Sequence, residues 1–310
     1  KISKRQHSKQ KFVRRQLLSF LEKSLPYEYG TQMQNDDYYI TLYDAGHITG
    51  SAISLVEKIK NGRRLVYTGD FKIEPQMLQG SADKEHPDRS EIIKKLVNNI
   101  REVLDNGGTA LVPSFAVGRA QEILAILYSH GLIDYTYIDG MAKAATEIVI
   151  NYPEQTRNKD LLMSSVKNAT WIGMHSDRAE ALTRPSIIVT TAGMLTGGPV
   201  LNYITKLNNK SKIFLTGYQV EGTNGNKLLN GKPINIDGRN YKIKTPVEFY
   251  DLSAHAGKSD LYEYVRKSNP ETVICVHGDK EKTESFAETL KLEGFDAHSP
   301  KVGDKIEVEF

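Results

Sequence analysis

The sequence has almost no cysteine, no long apolar segment and no strong excess of either charge. Cys275 is the only cysteine in the 310 residues, so an intramolecular disulfide is excluded. No apolar stretch approaches the ~18 residues that a membrane helix needs, and no signal peptide is visible. We therefore expect a cytoplasmic protein without a membrane partner, since a reducing compartment suits such a chain.

The charge balance gives little information about partners. Lys and Arg number 41 against 38 Asp and Glu, a formal net charge of +3. This excess is too small to indicate nucleic acid by itself. Residues 1–15 hold seven Lys or Arg and no acidic residue. Such a run is most often a solvated helix face or chain end, and the alternative is an edge that attracts phosphate.

Hydrophobic periodicity predicts alternating strands and helices. An Asn61-Gly62 hairpin turn is expected, a polar loop over 72–90, and a strand-rich stretch over 234–253. Strands are predicted at 38–43, 52–58, 63–69, 109–115, 135–139, 186–193, 212–218, 272–278 and 302–310, and helices at 8–24, 91–105, 116–131, 141–152, 199–207, 261–268 and 282–294. The alternation predicts an α/β fold whose parallel sheet has helices on its faces.

Three short segments place a His or an Asp beside glycine at the end of a predicted strand. They are DAGHITGSA with His47, YTGDF with Asp70 and CVHGD with His277. Metal ligands need rigid support and open space, and each segment offers both. Singly, such a residue is more often structural, but together they predict a metal site. In DLSAHAG, His255 is flanked by small residues and is suited to donate a proton.

Seven segments resemble one known family. AGHITGSA and YTGDF resemble the third and fourth metal motifs of the metallo-β-lactamase superfamily. LVPSFAVGRAQEIL, TTAGMLTGGP and GYQVEGTNG are similar to the β-CASP insertion of RNase J and of archaeal cleavage and polyadenylation factors, and SAHAG and CVHGD to the last two β-CASP motifs. The resemblance implies a metallo-β-lactamase αββα sandwich, incomplete here, with an inserted β-CASP α/β domain. The expected division is 1–106, 107–231 and 232–310, the outer two packing together with the active site in the cleft.

The resemblance also implies a function, a zinc-dependent ribonuclease whose partner is RNA. His47 would bind one zinc, His277 the other, and Asp70 would bridge the two ions of a complete site. His255 would be the general acid, and the metals would stabilise charge on the phosphoryl oxygens.

Substrate contacts are implied for Ser114 and for Arg119 in VGRAQE, and turns of the insertion could cradle a phosphate through their amides. Those turns contain Gly193, Met194, Gly197 and Gly198. Two alternatives stay open: Arg119 could form a helix-surface salt bridge, and the glycines could serve tight turns alone.

The sequence also departs from this family. The signature HxHxDH is absent, and so is the strand after Asp70 that carries an acidic residue. Two zinc ions need about seven or eight ligand contacts. Two hypotheses follow: an incomplete copy of an active ribonuclease, or a non-catalytic RNA-binding or scaffold relative. A small-molecule hydrolase is disfavoured because the insertion resembles a cap that admits nucleic acid strands.

The remaining candidates receive structural interpretations. His7, His86, His130, His175 and His298 lie in polar or helical contexts without metal-like partners. Trp171 is expected in the core or at its rim, and Asp139 in a turn. The C-terminal KIEVEF segment is expected to form an edge strand, through which a homodimer could assemble.

Overall fold

The computed structural model describes residues 18–20, 22–73, 76–77 and 89–308. Most of the helix predicted at 8–24 lies outside these residues, although 18–20 and 22–23 are helical. Most of the predicted loop 72–90 also lies outside them. The chain divides into two compact units, one comprising 1–43 and 54–67 and the other 44–53 and 68–310.

The first unit is built on a small sheet with the order β1-β2-β3-β4. The strands are β1 (Gln32–Asn35), β2 (Tyr38–Asp44), β3 (Ala52–Lys58) and β4 (Arg64–Tyr67). Antiparallel pairing joins β1 to β2 and β3 to β4. The predicted Asn61-Gly62 turn is confirmed, because Gly62 has φ +67° between two paired strands. Strand β1 was not predicted.

The second unit contains a six-stranded parallel sheet, which confirms the predicted α/β class. Its order is β12-β9-β5-β8-β6-β7. The strands are β5 (Thr109–Pro113), β6 (Thr136–Asp139), β7 (Thr170–Trp171), β8 (Ser186–Thr190), β9 (Lys212–Leu215) and β12 (Val247–Phe249). Every residue of β5, β6 and β8 is buried, as expected for strands covered on both faces.

Side chains of this sheet alternate between two hydrophobic clusters. Ala110 and Val112 pack on one face, whereas Leu111 between them packs on the other. The helices are α1 (Arg89–Asp105), α2 (Arg119–Ser129), α3 (Met141–Ile150), α4 (Lys159–Asn168), α5 (His175–Glu180), α6 (Val200–Ile204), α7 (Asn224–Leu229), α8 (Lys258–Ser268) and α9 (Lys280–Leu292). No helix within the described ranges is long and apolar enough to cross a membrane.

The remaining strands form two small pairs. β10 (Ile234–Ile236) pairs antiparallel with β11 (Arg239–Tyr241), and β13 (Thr272–Ile274) pairs parallel with β14 (Asp296–His298). The edge strand predicted at 302–310 is wrong for the described residues to 308, which contain no strand there. A turn at Lys301–Asp304 closes instead, in which Lys301 N donates to Asp304 Oδ2.

Candidate metal centre

Three side chains that are remote in sequence meet in the second unit. His47 follows β2, Asp70 follows β4, and His255 follows the carboxyl end of β12. The Asp70 Oδ2 atom lies 3.9 Å from His47 Nε2 and 4.0 Å from His255 Nδ1. One ligand atom from each side chain lies within 4.8 Å of the other two, the one such cluster that the described residues contain. The sequence predicts His47 and Asp70 as metal ligands and His255 as the general acid.

Backbone hydrogen bonds fix the three segments to one another. Lys72 N donates to Ala45 O at 2.9 Å, and Ala256 N donates to Phe71 O at 2.6 Å. The segments that carry His47 and His255 are therefore both held against the segment that carries Asp70. Ala45 and Phe71 are buried below them in a small hydrophobic cluster. The site thus rests on main-chain bonds and not on side-chain contacts alone.

The hydrogen bond of the His47 ring defines which nitrogen can bind a metal. His47 Nδ1 lies 2.8 Å from the carbonyl oxygen of Ala254. A carbonyl oxygen only accepts, so Nδ1 is the donor in this contact, and Nε2, on the side of Asp70, is the nitrogen that a metal would bind. This arrangement, in which the second ring nitrogen is tied to a carbonyl, is typical of metal-binding histidines.

His255 lies against His47 in an electropositive setting. The two ring centroids are 4.6 Å apart, and the planes are inclined by 54°. Partial burial and the neighbouring His47 lower the pKa of His255, Asp70 raises it, and Arg119 and Lys72 lower it further. Since the lowering effects prevail, the imidazole is neutral over a wider pH range than a solvated histidine.

Arg119 begins helix α2 and is buried, with 5% of its surface exposed. Burial and the nearby Arg89 lower its pKa to about 10, although Glu122 and Asp251 raise it. Its Nη1 atom is buried and has no hydrogen-bond partner among the described residues. The helix-surface salt bridge expected as an alternative is not what the structure contains, because the side chain is interior.

His277 is not part of this cluster. It lies three residues after the end of β13, its backbone has φ +61°, and the residue is exposed. The group of close ligand atoms found in the described residues contains His47, Asp70 and His255 but not His277. The implied set of His47, Asp70 and His277 is therefore only partly assembled here.

Two family models match the chain. A Beta-Casp domain model matches residues 120–228, and a model described as "Zn-dependent metallo-hydrolase RNA specificity domain" matches 240–300. The chain is 34% identical to "Probable RNase MJ4" of Methanocaldococcus jannaschii, over 99% of this chain and 78% of the relative. It belongs to the β-CASP family of metallo-β-lactamase-fold ribonucleases. Both the proposed family and the proposed fold class are thus confirmed.

Other relatives are longer than this β-CASP chain. It is 34% identical to "RNase aCSPSF2" of Saccharolobus solfataricus, of which it spans 60%, and 33% identical to "Transcription termination factor FttA" of M. jannaschii, of which it spans 53%. The alignment with the first relative covers 333 residues, more than the 310 of this chain. That relative therefore has residues inside the matched region that this chain lacks.

The residues of the cluster fit one zinc ion, the metal named for the matched family. Bonds of about 2.0–2.1 Å in a tetrahedron place ligand atoms about 3.4 Å apart, close to the separations of 3.9 and 4.0 Å observed. Two imidazoles and one carboxylate are a common catalytic ligand set, with the fourth position left to water or substrate. A second ion would need further donors.

The turns proposed for phosphate lie at the carboxyl ends of β5 and β8. Ser114 is buried, and its hydroxyl donates to Val112 O at 3.3 Å. A Cβ on Gly193 would lie 3.1 Å from the Ser114 carbonyl carbon, and one on Gly198 would lie 2.8 Å from Thr191 O. At Gly193 and Gly198 the lack of a side chain lets neighbouring backbone atoms approach closely. This agrees with the alternative that these glycines serve tight turns.

The other members of these turns are engaged through their carbonyl groups. Gly197 O accepts from Ala192 N at 3.2 Å, and Met194 O accepts from Gly225 N at 3.0 Å. Phosphate binding at these turns stays a prediction.

Residues given structural interpretations have structural contacts here. Asp139 is fully buried, and its carboxylate accepts hydrogen bonds from Arg178 and Tyr203. It therefore belongs to a buried polar network and does not serve a turn alone. Trp171 is half-buried and donates to Val166 O. His130 Nδ1 bonds Ile126 O, His298 pairs with Asp296, and His175 begins α5, whereas His7 and His86 lie outside the described residues.

Motif reasoning missed Gln76 and Glu122, two buried polar residues next to the site. Gln76 is 5% exposed and Glu122 is 1% exposed. The GRAQE spacing places Glu122 one helical turn after Arg119, a signal that could have identified it. Gln76 lies in a polar stretch that gave no such signal.

Proposed function

We propose that this chain carries the catalytic centre of a metal-dependent RNA phosphodiesterase, in RNA processing or decay. The convergence of His47, Asp70 and His255 on one point is the observation that supports it most. The relatives named as RNases support RNA as the substrate class. The chain spans only part of its relatives, so the activity of the complete enzyme is itself part of this proposal.

The roles follow from the donor atoms. His47 Nε2 and an oxygen of Asp70 would hold zinc, which supplies Lewis-acid stabilisation of phosphoryl oxygens when bound. The buried charge of Arg119 would favour an anionic substrate through its field, and its Nη1 atom, which has no partner among the described residues, would be available to a phosphate. Ser114 and the turns Gly193–Met194 and Gly197–Gly198 would border the path of the RNA backbone.

The role of His255 has two versions that one variant separates. As the general acid implied by the resemblance, it protonates the leaving oxygen. As a third ligand, it completes the set of donor atoms within 4.8 Å. If His255 is the general acid, His255→Ala would abolish RNA cleavage and leave the zinc content unchanged. If His255 is a metal ligand, the same variant would lose both cleavage and zinc.

Zinc content and RNA cleavage test the proposal together. We expect the purified chain, dialysed against zinc, to retain one ion by atomic emission and to cleave a labelled single-stranded RNA slowly. His47→Ala would reduce zinc affinity by at least about tenfold. His175→Ala, which changes an exposed histidine at the start of α5, is the matched control and would leave zinc content unchanged. Equal loss in both variants would contradict the site.

His277 provides a second test. The resemblance predicts that His277→Ala removes cleavage while the fold persists. Its position outside the cluster predicts unchanged binding of the first zinc ion. Unchanged cleavage would show that His277 is not a metal ligand.

The alternative is a non-catalytic RNA-binding or scaffold relative. Only three side chains place ligand atoms together among the described residues, fewer than two zinc ions need, and this favours it. RNA binding without cleavage, and zinc content near zero, would establish that function. A chain that binds neither RNA nor zinc would refute both the catalytic and the non-catalytic hypothesis.

Several organisational features belong to the same proposal. We propose the division at 107–231, which the match of 120–228 to the Beta-Casp model supports. Two zinc ions in a complete site, a cytoplasmic location and a homodimer through the C-terminal segment are also predictions. Light scattering tests the last of these.

A further inference from the structure

The loop that carries His47 is held by one buried amide. Gln76 Nε2 donates to Gly46 O at 2.8 Å and to His47 O at 3.1 Å. Gln76 is 5% exposed, its bond to Gly46 O is buried and its bond to His47 O is partly buried. A single side chain therefore satisfies two successive carbonyl groups at the proposed metal ligand, where an unsatisfied buried carbonyl would be unfavourable.

The next residue connects this amide to the β-CASP insertion. Met77 N donates to Glu122 Oε1 at 2.9 Å, and Arg89 Nη2 donates to the same oxygen at 3.0 Å. Glu122 is in the first turn of α2 and is 1% exposed. Charge-assisted bonds to a buried carboxylate are stronger than neutral ones, so Met77 is well anchored.

A second contact joins the same loop and the same helix. Gly118 precedes α2 with φ +78°, and a Cβ there would lie 2.5 Å from Ile48 Cγ2. Ile48 is adjacent to His47. Helix α2 thus meets the His47 loop directly at Gly118 and indirectly through Glu122, Met77 and Gln76.

We propose that Gln76 and Glu122 are positioning residues that lock the His47 loop onto helix α2. Neither touches the reacting atoms, and both act by fixing the backbone that carries His47. The insertion is then not only a cover over RNA but also part of what aligns the metal ligand. The significance for catalysis rests on the proposed function, whereas the locking of the loop does not.

Hydrogen exchange of the loop tests the locking without metal or substrate. The amides of Ala45 and Ser51 form hydrogen bonds within the His47 loop, so their exchange can be followed. Gln76→Glu keeps the shape and removes both N–H donors. We expect exchange in the peptide over 44–52 to become at least about fivefold faster, with an unchanged circular dichroism spectrum.

Gln219→Glu is the matched control. Gln219 is also 5% exposed, and its Nε2 donates to two carbonyls, those of Gly193 and Gly217. This variant loses the same donors at the same burial but in other turns. Exchange over 44–52 should then stay unchanged. Equal acceleration in both variants, or none in Gln76→Glu, would overturn the proposal.

A pair of substitutions at Glu122 tests the second link. Glu122→Gln keeps an oxygen that can accept from Met77 N, whereas Glu122→Leu removes it. The leucine variant should accelerate exchange over 44–52, and the glutamine variant should restore most of the protection. Equal effects of the two would assign the role to charge or packing and refute the hydrogen-bonded link.

Zinc affinity separates this inference from the proposed function. If the site binds zinc, Gln76→Glu should weaken binding by about tenfold in a chelator competition, in the range found for residues that support metal ligands. If the wild-type chain binds no zinc, the proposed function fails, while the exchange measurements still decide whether the loop is locked.

Discussion

At the scale of single residues, Asp139 shows how a buried charge is kept in the β-CASP sheet. Burial alone would raise the pKa of Asp139, but hydrogen bonds from Arg178, Gly140 and Tyr203 lower it below its usual 3.8. Arg178 donates through two nitrogens, at 2.6 and 3.1 Å. The carboxylate is fully buried, so its loss would leave a guanidinium without its partner.

We expect Asp139→Asn to reduce the free energy of unfolding by about 2–3 kcal/mol, below the usual range for a buried pair because Arg178 is partly exposed. Urea denaturation at pH 7 measures this. Glu180→Gln, which removes an exposed partner of Arg184, is the control and should have little effect. A loss no larger than that of the control would contradict the role of Asp139.

The same group predicts a pH dependence. Since folding lowers the pKa of Asp139, its stabilisation is fully present above pH 3.8 and is lost as pH falls through the folded pKa. The difference in unfolding free energy between wild type and Asp139→Asn should therefore shrink below pH 3.8. A difference that stays constant to pH 2.5 would argue against the ionised pair.

Arg119 predicts a conflict between stability and function. Its pKa is lowered to about 10 from 12.5, so the charged form is less favourable in the folded than in the unfolded chain. At neutral pH the buried charge therefore destabilises the fold by at most about 3 kcal/mol. This destabilisation declines only as the pH rises above about 10. Arg119→Met should stabilise the fold by about 1–3 kcal/mol and weaken RNA binding.

Urea denaturation and filter binding measure the two effects. Arg266→Met, an exposed arginine paired with Glu293, is the control and should change neither strongly. A clear destabilisation by Arg119→Met would mean that the buried charge is compensated better than its pKa indicates.

Residue types and their neighbours allowed part of the site to be predicted. His47, Asp70 and His255 each follow a strand and have a glycine or alanine beside them, a local pattern that sequence alone reveals. His277 has the same pattern, but no local signal gives the direction in which its loop turns. Gln76 could not be found, because its role depends on the carbonyls of a loop 29 and 30 positions away.

At the scale of elements, the start of α2 depends on one glycine. Gly118 has φ +78°, and a Cβ would lie 2.5 Å from Ile48 Cγ2. Gly131, just after the same helix, has φ +69° but nothing within 4 Å of an added Cβ. The two glycines have similar φ angles, but they differ in the steric contact that an added Cβ would make, and the ψ of −64° at Gly118 adds further strain there.

We expect Gly131→Ala to destabilise the fold by about 1 kcal/mol through backbone strain alone. Gly118→Ala should destabilise it by about 2–4 kcal/mol because overpacking is added. Chemical denaturation of both variants gives the difference. Equal losses would mean that Ile48 moves aside freely, and the His47 loop would then be less constrained than proposed.

Strands and helices were predicted well from the sequence where a continuous apolar stretch or a clear helical periodicity marks them. The apolar stretch of β5 and the periodic stretch of α1 were identified within a few residues. The tail was misjudged because alternation in KIEVEF suits a strand, yet a strand needs a neighbour to pair with. Helices α4 and α5 were missed, since the polar stretch around them has weak periodicity.

At the scale of the whole molecule, the first unit presents an apolar sheet edge. Strand β4 is last in its sheet, and Leu65, Val66 and Tyr67 are 48%, 45% and 65% exposed. Within the described ranges no strand pairs with its outer edge. Such an edge favours pairing with another chain.

We therefore expect this chain to self-associate at micromolar concentration, and Val66→Lys to shift it toward monomer, because a charged residue at an edge opposes strand pairing. Light scattering across a concentration series measures the shift. Val308→Lys is the matched variant for the C-terminal segment, since Val308 is 43% exposed. Dissociation by Val308→Lys alone would assign the interface to the C-terminal segment, whereas a monomeric wild type would contradict both interfaces.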